Sequence, residues 1–226
     1  MATDKRGISS VGLANRLGIS QKKAWYMLHK LRRAMAVRNG RYKLDGLVEL
    51  DESFFGEPRE GGRIVRGARK MKVLAGLSRD ARGRPRHLRL IVLPRMDRAH
   101  LEPAVAGMVA SNAAIETDRL RCYAGLGAGG YRHYAIAKPE RDERSWLRTA
   151  LSNARALIGG THHGLGADGR HLQAYLDEFA YRFNRRHRPD TIFDHCVAAV
   201  AACPPWTWRE ITGGGGYAGK AQHRAA

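Results

Sequence analysis

The chain is poor in acid and in cysteine. Its 226 residues hold 21 Asp and Glu against 40 Lys and Arg, a formal net charge of +19 with histidine neutral. That excess favours a polyanionic partner, drawn in by phosphate neutralisation and counterion release. The three cysteines, Cys122, Cys196 and Cys203, are far apart, odd in number and form no CxxC pair. A disulfide framework and a zinc ribbon are therefore excluded. No apolar run reaches the roughly 18 residues that cross a bilayer, and no leader with an apolar centre opens the chain. The expected compartment is a reducing cytoplasm, and no membrane partner is expected. No internal repeat is visible.

What is present begins with a helical pattern at residues 8–36, "ISSVGLANRLGISQKKAWYMLHKLRRAMA". A short helix over 11–17 should end at Gly18, and Ser20 should cap a second helix over 21–36. Ala24, Leu28, Leu31 and Met35 recur at helical spacing and predict a buried stripe. Lys22, Lys23, Lys30, Arg32 and Arg33, with Trp25, Tyr26 and His29 between them, fall on the opposite face. Two helices crossing at a tight glycine turn make a helix-turn-helix; a solvated basic hairpin would show the same pattern. Gln21, Lys22, Lys23, Tyr26 and Lys30 are its candidate DNA contacts.

Strand patterns follow at 44–55, 71–78 and 87–93, with a Gly83 turn joining the last two. Between the first two lies a basic loop whose Arg63, Arg66, Arg69 and Lys70 are further candidate phosphate contacts. Pro103 could open a helix to about residue 110. A short strand at 113–118 ends on Asp118, and a helical turn, a Gly-rich loop and a strand at 131–137 come next. Helices are expected at 142–158, 168–187 and 190–202, followed by a basic, disordered tail. The expected organisation is a helix-turn-helix at 1–40, a catalytic domain at 41–205 and the tail at 206–226.

This element order is that of an α+β, ribonuclease-H-like mixed sheet flanked by helices. Its first and fourth long strands lie side by side, which would bring Asp51, late in "GLVELDESFFG", next to Asp118. Two close carboxylates repel each other unless a cation such as Mg²⁺ (or Mn²⁺) lies between them, and Mg²⁺ prefers hard oxygen ligands. Taken singly, Asp118 could be a helix cap and Asp51 a surface acid. Glu52, next along the strand, should point to the other face.

The motifs "VELDESFFG", "ETDRLRCYAGLGAGGYRH", "GGTHHG" and "HLQAYLDEFAYRFNRRH" closely resemble bacterial insertion-sequence transposases of the ISXO2-like group within the DDE superfamily. The resemblance implies Mg²⁺-dependent cutting and joining of DNA, with metal ligands at Asp51 and Asp118. It also implies double-stranded DNA partners (element ends and target), a homo-oligomer on DNA, and a nucleoid-associated bacterial protein. Such families place a third catalytic residue on a helix, with Lys or Arg seven positions later. Seven residues turn a helix through about 700°, so both side chains share one face. Here Arg155 matches the basic member, and the place seven residues earlier holds Arg148, which offers donors alone and cannot ligate a metal. Arg148 could contact the target phosphate instead. Asp142, Glu143 and Asn153 lie off that face.

Relatives carry a zinc ribbon ahead of the helix-turn-helix, and the stretch "MATDKRGISS" has none. Either the frame is truncated or end recognition rests on the helix-turn-helix. Arg182, Arg185 and Arg186, at the end of the last motif, suit both a helix C-terminus and a DNA backbone. His162 and His163 are expected to be structural or phosphate-contacting, and Tyr175, Phe179 and Phe183 to form a core stripe. An inert DNA-binding remnant and a structure-selective nuclease are the alternatives to a transposase.

Overall fold

The computed structural model describes residues 7–56, 59–60, 63–64, 70–136, 145–162 and 169–213, with 59–60 and 63–64 described by backbone alone. The chain divides into two compact units, Tyr42–Arg155 and the pair of segments Met1–Arg41 and Ala156–Ala226. The described elements begin with α1 (Ser10–Leu17), α2 (Gln21–Gly40), β1 (Leu47–Phe55), β2 (Arg59–Glu60), β3 (Arg63–Ile64), β4 (Met71–Arg79) and β5 (Pro85–Leu93). They continue with α3 (Arg98–Met108), β6 (Ala114–Thr117), β7 (Arg132–Ala135), α4 (Trp146–Thr161), α5 (Leu172–Phe183), α6 (Ile192–Ala201) and α7 (Trp208–Thr212).

The Tyr42–Arg155 unit is built on a five-stranded sheet in the order β5–β4–β1–β6–β7. β4 runs antiparallel to β1 and to β5, whereas β6 is parallel to β1 and β7 parallel to β6. This is the mixed α+β, ribonuclease-H-like sheet expected from the element order. The β4–β5 hairpin turns at Gly83, whose φ of 74° is left-handed. The Asp80 carboxylate accepts from the Arg82 and Arg84 amides across that turn, at 2.9 and 2.8 Å. β2 and β3 form a separate small hairpin within the basic loop.

One sheet face presents Val48, Leu50, Leu74 and Leu93 to Leu101, Val105 and Met108 of α3. The approach is close at Gly76, where an added Cβ would lie 2.2 Å from the Met108 methyl and 2.8 Å from Leu44. α3 does not begin at Pro103 as the sequence suggested. Its N-cap is Asp97, whose carboxylate accepts from the His100 amide at 3.1 Å, and Pro103 lies inside the helix. The missing proline N–H costs one helical bond, which burial of the Leu101–Val105–Met108 stripe offsets.

In the other unit, α1 ends at Gly18 in the left-handed conformation (φ 62°) and Ser20 caps α2, accepting from the Lys23 amide. α2 runs four residues past the expected end. Ala24, Leu28 and Met35 are buried as expected, but Leu31 is only half-buried. Arg32 and His29, assigned by periodicity to a solvated basic face, are buried instead. Arg32 donates to Glu178 of α5 at 2.8 Å, both side chains being almost wholly enclosed. The reason is tertiary, since α5 covers a flank of α2 that local pattern leaves open.

Along α5 the fully buried residues are Leu172, Ala174, Leu176, Glu178, Ala180 and Tyr181, while Tyr175, Phe179 and Phe183 are half-buried at its margin. α7 lies in the stretch read as a tail. It is fixed by a capping box, with Thr207 and Glu210 bonding each other's backbone amides. Among the described residues no helix is long and apolar enough to cross a membrane.

Candidate active site

β1 carries Asp51 at its midpoint with Glu52 next to it, and Asp118 directly follows β6. The β1–β6 register pairs Glu49 with Glu116; continued two places, it sets Asp118 beside Asp51. The cluster has one more member than the sequence predicted. Asp51, Glu52 and Asp118 each offer a carboxylate oxygen, and these atoms all lie within 4.8 Å of one another. Glu52 lies within β1 on the face opposite Asp51, as alternation expects, and takes its bond from Tyr123 of the core that Val48 and Leu50 join. Its carboxylate nonetheless comes within reach of the other two. The clue present in the sequence was Glu52 itself, a second acid adjacent to Asp51.

Asp118 is buried, and Asp51 and Glu52 are half-buried. Asp51 accepts from the Glu52 amide at 3.0 Å, and Asp118 accepts from the Leu120 amide at 3.2 Å. Tyr123, enclosed in the α3 core, donates its phenol proton to Glu52 at 3.2 Å. Burial, followed by the charges of Asp118 and Asp51, raises the Glu52 carboxyl above the usual glutamate range. Burial and the Glu52 charge push the Tyr123 phenol up as well, so it remains a donor. Three hard oxygen donors gathered this closely, at mutual electrostatic cost, suit a divalent cation such as Mg²⁺ or Mn²⁺.

Beside Asp118, the buried Thr117 hydroxyl shares a 2.8 Å hydrogen bond with His133 of β7. Burial lowers the His133 imidazole below the usual range.

Arg155 of α4 reaches the same sheet unit. Its guanidinium donates to the Ser53 hydroxyl at 2.5 Å and lies over the Phe55 ring at 5.5 Å. Ser53 and Phe55 alternate with Asp51 along β1, so Arg155 sits on the Asp51 face of the strand. Arg148 is half-buried; its backbone amide bonds Ser145, and among the described residues its guanidinium pairs with none of the three acids. Asn153 is exposed on α4, whereas Asp142 and Glu143 lie outside the described residues.

The candidate DNA contacts are spread over several places. Gln21, Lys22, Lys23 and Lys30 are exposed on α2. Tyr26 is half-buried, with its hydroxyl donating to the Trp206 carbonyl at 3.0 Å and Lys30 above its ring. Trp208 packs edge-on against Trp25 and Tyr26. Lys70 is exposed, Arg63 is described by backbone alone, and Arg66 and Arg69 lie outside the described residues.

Arg182, Arg185 and Arg186 are half-buried and turned back onto their own helix. Arg182 lies 3.9 Å from Glu178, and Arg185 stacks on Tyr181 while donating to Asn39. Arg186 stacks on Phe183 and donates to its carbonyl. His162 stacks on Tyr175 at 4.1 Å, a structural contact, and His163 lies outside the described residues.

The family model of the ISXO2-like transposase domain matches residues 43–184. No curated protein matches the chain. Among solved structures, the crystal structure of the Mos1 mariner paired end complex with Mn is similar at 12% sequence identity and a TM-score of 0.34. That match covers 88% of this chain and 77% of the other.

Proposed function

The chain belongs to the ISXO2-like transposase domain family, and from that premise we propose that it cuts and joins DNA at the Asp51–Glu52–Asp118 cluster. The observation carrying this reading is the convergence within 4.8 Å of two carboxylates from the middle of β1 and one from the residue that follows β6. Asp51 and Asp118 are the proposed ligands of Mg²⁺ or Mn²⁺, with Glu52 the third acid. The bound cation supplies Lewis-acid activation of the attacking oxygen and neutralises charge on the leaving one.

The chain's own residues do the rest. Asp51 and Asp118, held by the Glu52 and Leu120 amides, keep their oxygens turned to the site. Tyr123 holds Glu52 in place. Arg155, fixed by Ser53 and Phe55 on the Asp51 face, is placed to offset the charge that grows on the phosphate. Arg148, two turns earlier on the same helical face, is proposed to contact the target phosphate.

In this reading the helix-turn-helix of residues 1–40 binds the element ends, with Gln21, Lys22, Lys23, Tyr26 and Lys30 toward DNA. The basic loop sequence with Arg63, Arg66, Arg69 and Lys70 and the α5 end with Arg182, Arg185 and Arg186 are proposed to add phosphate contacts. The catalytic domain spans 41–205, and the protein acts in the bacterial cytoplasm on double-stranded DNA as a homo-oligomer bridging two ends.

Strand transfer tests this. Element-end duplexes incubated with the protein and Mg²⁺ should yield joined products, and Asp51→Asn should abolish them. Binding without joining, unchanged by Asp51→Asn, would instead identify an inert DNA-binding protein.

A further inference from the structure

The connection from Asp118 to Tyr123 is tied into the carboxylate cluster at both ends. The Leu120 amide donates to Asp118 Oδ1 at 3.2 Å, and the Leu120 carbonyl accepts from the Tyr123 amide at 3.1 Å. Tyr123 in turn donates to Glu52. The backbone of residue 120 is thus tied to two of the three acids by hydrogen bonds on either side of it.

The side chains it presents face solvent. Leu120 is 39% exposed, and Arg119 and Arg121 on either side are exposed too. Among the described residues neither guanidinium enters a hydrogen bond or an ion pair. A leucine partly open to solvent on a hydrogen-bonded support, between two exposed cations, is available to a partner. Three clustered carboxylates also repel a phosphate backbone, so cations beside them are needed to bring one in.

Apolar side chains that enter between base pairs and unstack them, with cations gripping the neighbouring phosphates, are a general way to distort duplex DNA. We infer that Leu120 is a wedge that opens the base step next to the scissile phosphate, and that Arg119 and Arg121 hold the phosphates flanking it. Opening that step turns the backbone toward the acids while the arginines keep the strand in register. The inference rests on the DNA-cutting reading above.

The test places 2-aminopurine, a base whose fluorescence rises on unstacking, at the junction of an element-end duplex. Fluorescence and gel mobility are read together in the cleavage-deficient Asp51→Asn background with Mg²⁺. The expected result is a rise on binding that is lost when Leu120→Ala is added, with DNA affinity held within about twofold because the phosphate contacts remain. In the otherwise unaltered enzyme, Leu120→Ala should slow cutting of the paired duplex roughly tenfold or more, since an unstacking cost is no longer offset. A duplex already mismatched at that step should restore cutting. Arg119→Ala and Arg121→Ala should each reduce the salt slope of binding by about 1.

A bound duplex with no fluorescence rise, or a rise that Leu120→Ala leaves unchanged, overturns the wedge while the cutting reading stands. Absence of any mobility shift overturns both.

Discussion

The Tyr123 phenol donates to the Glu52 carboxylate across 3.2 Å, joining a core-packed side chain to the acid cluster. Tyr123→Phe keeps the ring and removes that one bond, worth about 1 kcal/mol. The fold should be retained, and Mn²⁺ affinity measured by calorimetry should fall roughly fivefold as Glu52 loses its orientation. An unchanged isotherm would show that Tyr123 does not position Glu52.

Arg155 is held over β1 by Ser53 and Phe55, on the Asp51 face. Arg155→Ala should slow single-turnover strand transfer by roughly a hundredfold, the usual cost of losing one donor aimed at developing charge. Arg155→Lys should recover part of that rate, because charge remains without the planar fork. Arg148→Ala should cost less, since among the described residues no side chain fixes the Arg148 guanidinium beside the acids. Equal losses from the two alanine variants would argue against this ranking.

Arg32 and Glu178 form a buried pair. Removing one partner strands the other charge, so Glu178→Ala should destabilise its unit by about 3–5 kcal/mol in urea unfolding. Replacing both by apolar residues of similar volume, Arg32→Met with Glu178→Leu, should recover most of that loss. A double variant no more stable than the single one would deny the coupling.

His29 is enclosed beside Arg32, Trp25 and His171, and burial first, then the Arg32 charge, lowers its imidazole to about 2. Its pKa is depressed on folding, so the stability it contributes is whole above the ordinary value of 6.5 and is lost as pH falls from there toward 2. In that window the loss approaches about 1.4 kcal/mol per pH unit. Unfolding free energies at pH 7 and pH 5 should differ accordingly, and His29→Gln should flatten the difference. An imidazole NMR titration that protonates His29 near pH 6.5 would contradict the assignment.

Much of this was legible in local chemistry. Gly18, Ser20 and Gly83 marked their turns because each meets a steric or hydrogen-bonding need within a few residues. Asp51 and Asp118 could be paired because strand order follows from element order. What escaped depended on contacts across the chain. Arg32 looked solvated until Glu178, 146 residues away, supplied its partner.

Alternation gives the face of Glu52 but not the reach of its side chain, so its carboxylate joining Asp51 and Asp118 was not legible. The start of α3 was misplaced because Pro103 is a strong local signal and Asp97 a quieter one. The Thr207–Glu210 capping box was written in the sequence and was passed over within a stretch read as tail.

The central claim is that Asp51, Glu52 and Asp118 together hold the catalytic cation. Crystals of the protein soaked in Mn²⁺ and measured at the manganese edge test it most directly. The account predicts an anomalous peak bounded by all three carboxylates, lost in Asp118→Asn. A peak elsewhere, or none at the cluster in crystals that diffract well, would contradict it.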